Sequence, residues 1–214
     1  ASYAFSIWGV IYLFLLASSI FFISRAFSDK HNDFVTIACG LLIIANLLNG
    51  LWIWFWLNES FLLSLVVMVS ILLSLIMAAI KLNLEKYDAP LMELIFLFWP
   101  ITIYLAWISV ATIANISAYL TSIKWEAPIS PLFWAFTMVA ISGVLSLFVL
   151  YKRNMREFVA VVIWALIAIA VRNWNTELGL AYECLFVTTV LVIENTRHAI
   201  KNKETLPNNK IKRG

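Results

Sequence analysis

Of 214 residues, 63% are hydrophobic and 13% charged, and the mean hydropathy is +0.92. A water-soluble domain is nearer to half apolar and a quarter charged, so the composition excludes a soluble fold and reads as an all-α, polytopic transmembrane helix bundle. The net charge of +3 says little as a total; no nucleic-acid partner is expected, and the lipid bilayer is the first partner implied.

A spanning helix needs about 20 apolar residues at 1.5 Å rise each, and seven segments qualify. The first is 3–25. The chain opens on Ala1 instead of Met, so upstream sequence is expected, and no basic region precedes the apolar run as a cleavable signal requires. A polar turn at 28–33 leads to the second span, 34–57. Asn58-Glu59-Ser60 is a short turn in which Ser or Asn is placed to cap the third, 60–82. Tyr87-Asp88-Ala89-Pro90 separates it from the fourth, 91–121, which is over-long and carries Pro100, so a kink or an interfacial first turn is expected there. Ala127-Pro128-Ile129-Ser130-Pro131 precedes the fifth, 130–151; the sixth and seventh follow at 157–173 and 177–197. The tail, 199–214, is polar and basic.

Alternate loops differ sharply in charge. One side holds Arg25, Lys30, Lys81, Lys86, Lys152, Arg153, Arg156, Arg197, Lys201, Lys203, Lys210, Lys212 and Arg213; the other holds only Lys124 and Arg172. By the positive-inside rule the C-terminus is expected to be cytoplasmic, in a bacterial inner membrane or its equivalent, with the N-terminus of this chain outside. If the upstream sequence starts inside, one more helix precedes Ala1.

Several chemistries lack their residues. A retinal Schiff base needs a Lys deep in a span, and every Lys here lies at a helix end, in a loop or in the tail. His31 and His198 sit at membrane edges, and Cys39 and Cys184 act as small hydrophobes within apolar runs, so no metal site or disulfide framework is expected. No phosphate-binding loop, nucleophile elbow or paired-carboxylate site is present, and no enzymatic activity is expected. Glu194 reads as an interfacial charge paired near Arg197 and His198. Glu183 lies two turns into the last span, where ionisable groups are functional suspects. It either pairs with Arg172, or is satisfied by Asn173 or Asn175, or serves as a proton-relay or substrate carboxylate.

The tryptophans divide. Trp54, Trp56, Trp125, Trp134 and Trp174 suit an interfacial belt. Trp8, Trp52, Trp107 and Trp164 have small or polar neighbours at helical spacing: Trp8 with Tyr12, Trp52 with Asn49, Trp107 with Tyr104 and Ala111. Ser109, Ala111 and Ala114 permit close helix approach. Aromatic walls with a few polar groups suit a flat apolar ligand, and equally suit helix packing; the pattern alone leaves both open.

These residues resemble the TspO/MBR family, the tryptophan-rich sensory proteins related to the translocator protein. Tyr104-Leu105-Ala106-Trp107-Ile108-Ser109-Val110-Ala111-Thr112-Ile113-Ala114-Asn115 is similar to the family's last-helix pattern almost position for position. Asn49-Gly50-Leu51-Trp52 with Phe55 resembles its third helix, and Trp8 with Tyr12 its second. The likeness covers roughly residues 3–122. It departs from the family at Ile53-Trp54, where a Pro is common, and three further helices within 123–198 have no counterpart in the short, five-helix members. The resemblance implies an intrabundle pocket for porphyrins and other flat lipophiles, lined by Trp8, Tyr12, Asn49, Trp52, Tyr104, Trp107, Ala111 and Asn115. It implies a role in sensing or transport with no obligatory cofactor. Two other readings stay open: a secondary transporter using Glu183, Arg172 and Asn175, and a structural subunit, or homo-oligomer, packing its Trp-rich surface in a larger membrane assembly.

Overall fold

The computed structural model describes residues 2–26, 33–84, 89–125 and 130–203. Lys30, His31 and most of the first polar turn, Lys86 to Asp88, Ala127 to Ile129, and the tail from Glu204 lie outside the described residues.

Seven long helices form among the described residues, and no strand. They are α1 (Ile7–Ala26), α2 (Asp33–Leu57), α3 (Phe61–Lys81), α4 (Leu91–Ser122), α5 (Pro131–Arg153), α6 (Arg156–Asn173) and α7 (Leu178–Lys201). A short 3-10 turn, Ser2–Ser6, precedes α1. In hydrocarbon each backbone N–H and C=O must be satisfied within its own segment, which is why apolar length translates directly into helix. Six of the seven are long and apolar enough to cross a membrane on their own. The exception is α6: its 18 residues reach about 27 Å and carry Arg156, Glu157 and Arg172. Those charges sit in its first and last turns, while Phe158, Val159, Val162, Ala165, Leu166 and Ala170 are buried between them.

Helix ends follow local chemistry. Ser130 caps α5, its Oγ accepting from Phe133 N at 3.2 Å, and Pro131 takes the first helical position, where a missing N–H costs nothing. Ser60 stands before α3 but makes no side-chain cap bond. Asn58 instead donates Nδ2 to Trp54 O at the end of α2, and Glu59 turns the chain at φ 55°. The irregularity expected at Pro100 takes the form of a π-helical turn, Leu94–Phe98. Pro100 has no N–H to give the carbonyl one turn back, and a local π turn is a common accommodation.

α4 is the central helix. It packs against α1, α3 and α6, while α2 pairs with α3, α7 pairs with α6, and α5 lies against α6 and α7. Small residues set the close approaches. Ala38 and Ala45 of α2, with Ala78 and Ala79 of α3, are buried, and Ser74 Oγ donates to Leu41 O at 3.0 Å between these helices. Gly143 of α5 meets α7: a Cβ built there would lie 2.8 Å from Val187 Cγ1. Large apolar side chains such as Leu13, Leu47, Leu57, Val144 and Phe186 cover the outside, an arrangement suited to lipid and costly in water.

Arg153 Nη1 donates to Ala79 O at 2.9 Å and Asn195 Nδ2 to Arg156 O at 3.4 Å. These bonds gather the ends bearing Lys81, Arg153, Arg156 and Arg197 into one basic face. Lys124 and Arg172 belong to the opposite face.

Candidate ligand site

Side chains spaced by three or four residues share one helix face. Trp8 and Tyr12 therefore point together from α1, Asn49 and Trp52 from α2, and Tyr104, Trp107, Ala111 and Asn115 form a continuous stripe on α4. The fold brings these stripes to one place. Trp8 is the hub: its ring stacks on Tyr12 (5.5 Å between centroids) and Trp52 (5.8 Å), and meets Tyr104 (6.1 Å) and Trp107 (6.3 Å) edge-on. Both geometries are the favoured ones for aromatic pairs. The backbones of α1 and α2 do not pack closely; the aromatic side chains bridge the gap between them over α4.

Polar groups in the cluster largely satisfy one another. Asn49 Nδ2 donates to Tyr12 Oη at 3.2 Å. Asn115 Oδ1 accepts from Trp52 Nε1 at 3.2 Å and from Ser64 Oγ of α3 at 2.8 Å, and its Nδ2 donates to Ala111 O at 3.1 Å. Tyr104 is fully buried, with its hydroxyl 3.5 Å from Ala45 O. Two groups are left over: Asn49 Oδ1, an acceptor, and Trp107 Nε1, a donor, are buried without a partner. Asn49 is 5% exposed and Trp107 6%. Tyr12, by contrast, is 44% exposed, so the cluster reaches the bundle surface on the α1 side.

Two members escaped the motif reading. Phe5, in the opening 3-10 turn, meets Trp107 edge-on at 6.2 Å. Ser64 lies in an apolar run of α3, and that isolated hydroxyl was the only signal available. Trp164, grouped by pattern with the cluster tryptophans, is elsewhere: its Nε1 donates to Ala4 O at 3.2 Å and its ring meets Tyr3 at 5.5 Å, tying the N-terminal turn to α6. Trp54, Trp125 and Trp174 are about half exposed or more, as a belt requires.

The polar residues of the last two helices are arranged differently from expectation. Arg172 and Glu183 form no ion pair among the described residues. Arg172 is exposed and Glu183 Oε2 is buried without a partner. Asn173, one of the two amides (with Asn175) expected to satisfy Glu183, donates to Ile169 O of its own helix. Adjacent helix ends fix proximity but not azimuth, because each residue advances about 100° around its own helix. Glu194 does pair, with Arg197 at 2.9 Å, and accepts from Tyr151 Oη.

A cavity lies apart from the aromatic cluster. It measures about 880 Å³ and opens between α4, α5 and α6.

The sequence profile of a family described as TSPO-like protein matches residues 1–195. The match extends past residue 122 and through most of the last three helices. No curated protein and no solved structure matches the chain. With the profile covering nine-tenths of the sequence and the motif residues gathered on three helices of one membrane bundle, the chain belongs to the TSPO-like protein family.

Proposed function

We propose that this protein binds flat lipophilic molecules, tetrapyrroles foremost, against the aromatic cluster of α1, α2 and α4, in sensing or transport. The observation that carries the reading is the pair of unpartnered buried groups, Asn49 Oδ1 and Trp107 Nε1. A buried polar atom without a partner costs about 1–3 kcal/mol, and a ligand offering one donor and one acceptor would recover that cost. The rings of Trp8, Trp52 and Tyr104 supply a wall for a planar π-system, and half-exposed Tyr12 marks the side of entry. The reading is of binding and not of catalysis. The concentration of Arg and Lys on one face supports a cytoplasmic C-terminus.

The test is titration of protoporphyrin IX into purified protein, followed by the shift of its main absorption band. Trp107→Phe and Asn49→Leu each remove one unpartnered group and should weaken binding about tenfold, or 1.4 kcal/mol. Trp54→Phe, on an exposed ring, should leave affinity unchanged. Equal affinities for all three variants and the unaltered protein would assign the motif to helix packing and favour the structural-subunit reading. The unpartnered Glu183 carboxylate favours a second reading, proton-coupled transport through the last helices, for which substrate uptake into vesicles driven by a proton gradient and abolished by Glu183→Gln is the test.

A further inference from the structure

α4 and α5 follow one another in the chain yet scarcely touch; α6 packs against both and fills in behind them. The 880 Å³ cavity occupies the gap. Its floor is largely aliphatic: Val139 of α5, Val162 and Leu166 of α6, and Leu180 of α7 are all buried, beside the Ser142 hydroxyl, which bonds within its own helix. Along α4 it runs from Val110 to Thr121, a rise of about 17 Å at 1.5 Å per residue, and it continues past the helix end to Lys124 and Trp125. One leaflet of a bilayer is about 15 Å of hydrocarbon, half of a 30 Å core. The cavity is therefore long enough for an acyl chain lying along its own leaflet.

Its mouth has a different chemistry. Lys124 follows α4 there at φ 50°, its backbone N–H bonded to Thr121 O, and its side chain makes no hydrogen bond or ion pair among the described residues. Ser130 and Pro131 bring the N-terminus of the 23-residue α5 to the same level, the helix end that favours negative charge. One turn further in, Trp134 also lines the cavity, with its indole Nε1 buried and unpartnered. Among the described residues that line it, the only aromatic rings are Trp125 and Trp134, so the deeper wall suits a saturated chain better than a planar ring.

We propose that this cavity holds one acyl chain of an anionic phospholipid. Its phosphate would sit at Lys124 and the start of α5, and an ester carbonyl would accept from Trp134 Nε1. The site shares no lining residue with the aromatic cluster, so it stands whether or not tetrapyrroles bind there.

The test is native mass spectrometry of the full chain in detergent, titrated with phosphatidylglycerol or with phosphatidylcholine of the same acyl composition. One phosphatidylglycerol should be retained per chain, about tenfold more tightly than phosphatidylcholine. Lys124→Gln, at an exposed position, should remove that preference. Ala114→Phe, projecting from an exposed site on α4 into the cavity, should lower occupancy by both lipids. Equal retention of the two lipids by the unaltered protein, or an undiminished preference in Lys124→Gln, overturns the proposal. So does displacement of the lipid by protoporphyrin IX whose own binding is lost in Ala114→Phe and kept in Trp107→Phe, since the cavity would then be the tetrapyrrole site.

Discussion

Asn115 is the joint on which three helices meet, and its removal should be costly in a particular way. It is 4% exposed, and its Oδ1 holds Trp52 Nε1 of α2 and Ser64 Oγ of α3 at once. Asn115→Leu keeps the branched shape and strands both donors. The two do not suffer equally. The Ser64 hydroxyl can rotate to Ser60 O in its own helix, as Ser18, Ser19 and Ser70 do with the carbonyls four residues back. Trp52 Nε1 is fixed by a ring wedged between Trp8 and Trp56 and cannot turn away. An orphaned buried donor costs about 1–3 kcal/mol, while hydrogen bonds within membrane bundles average about 0.6 and reach about 1.7 kcal/mol. We expect a loss of about 1–2 kcal/mol, or roughly 2–8 °C in Tm for a chain of this size. The assay is thermal unfolding in detergent followed by tryptophan fluorescence, with Ser64→Ala and Trp52→Phe completing double-mutant cycles against Asn115→Leu. The Trp52 cycle should return coupling near 1 kcal/mol and the Ser64 cycle much less. An unchanged Tm in Asn115→Leu, or equal coupling in the two cycles, would show that Asn115 does not hold these helices together.

Gly143→Ala should destabilise the α5–α7 contact by about 1–3 kcal/mol, because the added methyl meets a β-branched Val187 side chain that is stiff at χ1. Gly50→Ala, where nothing lies within 4 Å, should be neutral or stabilising by up to about 1 kcal/mol; the same unfolding assay compares the two. Glu183→Gln should leave Tm unchanged or raise it, since it neutralises a carboxyl with an unpartnered buried oxygen. A fall of several degrees would reveal the pairing with Arg172 that the structure lacks. A protease-sensitive reporter fused after Gly214 should stay intact when protease is added outside whole cells, and its cleavage would reverse the orientation.

The number, order and limits of the helices, and which residues share a face, are legible in the sequence. The seven expected spans match α1 to α7 to within a few residues at most ends. The reason is local: a segment in hydrocarbon must bond its own backbone, so apolar length is helix length. The face-sharing of Trp8 with Tyr12, and of Tyr104 with Trp107, Ala111 and Asn115, follows from 3.6 residues per turn. Which stripe meets which depends on how the helices assemble. Nothing local says that Asn49 donates to Tyr12, that Trp52 donates to Asn115, or that Ser64 joins them, because these bonds span 37, 63 and 51 residues. For the same reason Arg172 and Glu183, eleven positions apart in neighbouring helices, looked like partners and are not. Helix azimuth and the gap between α4 and α5 are set by the packing of α6 against both, and packing is a property of the assembled bundle that no single segment carries.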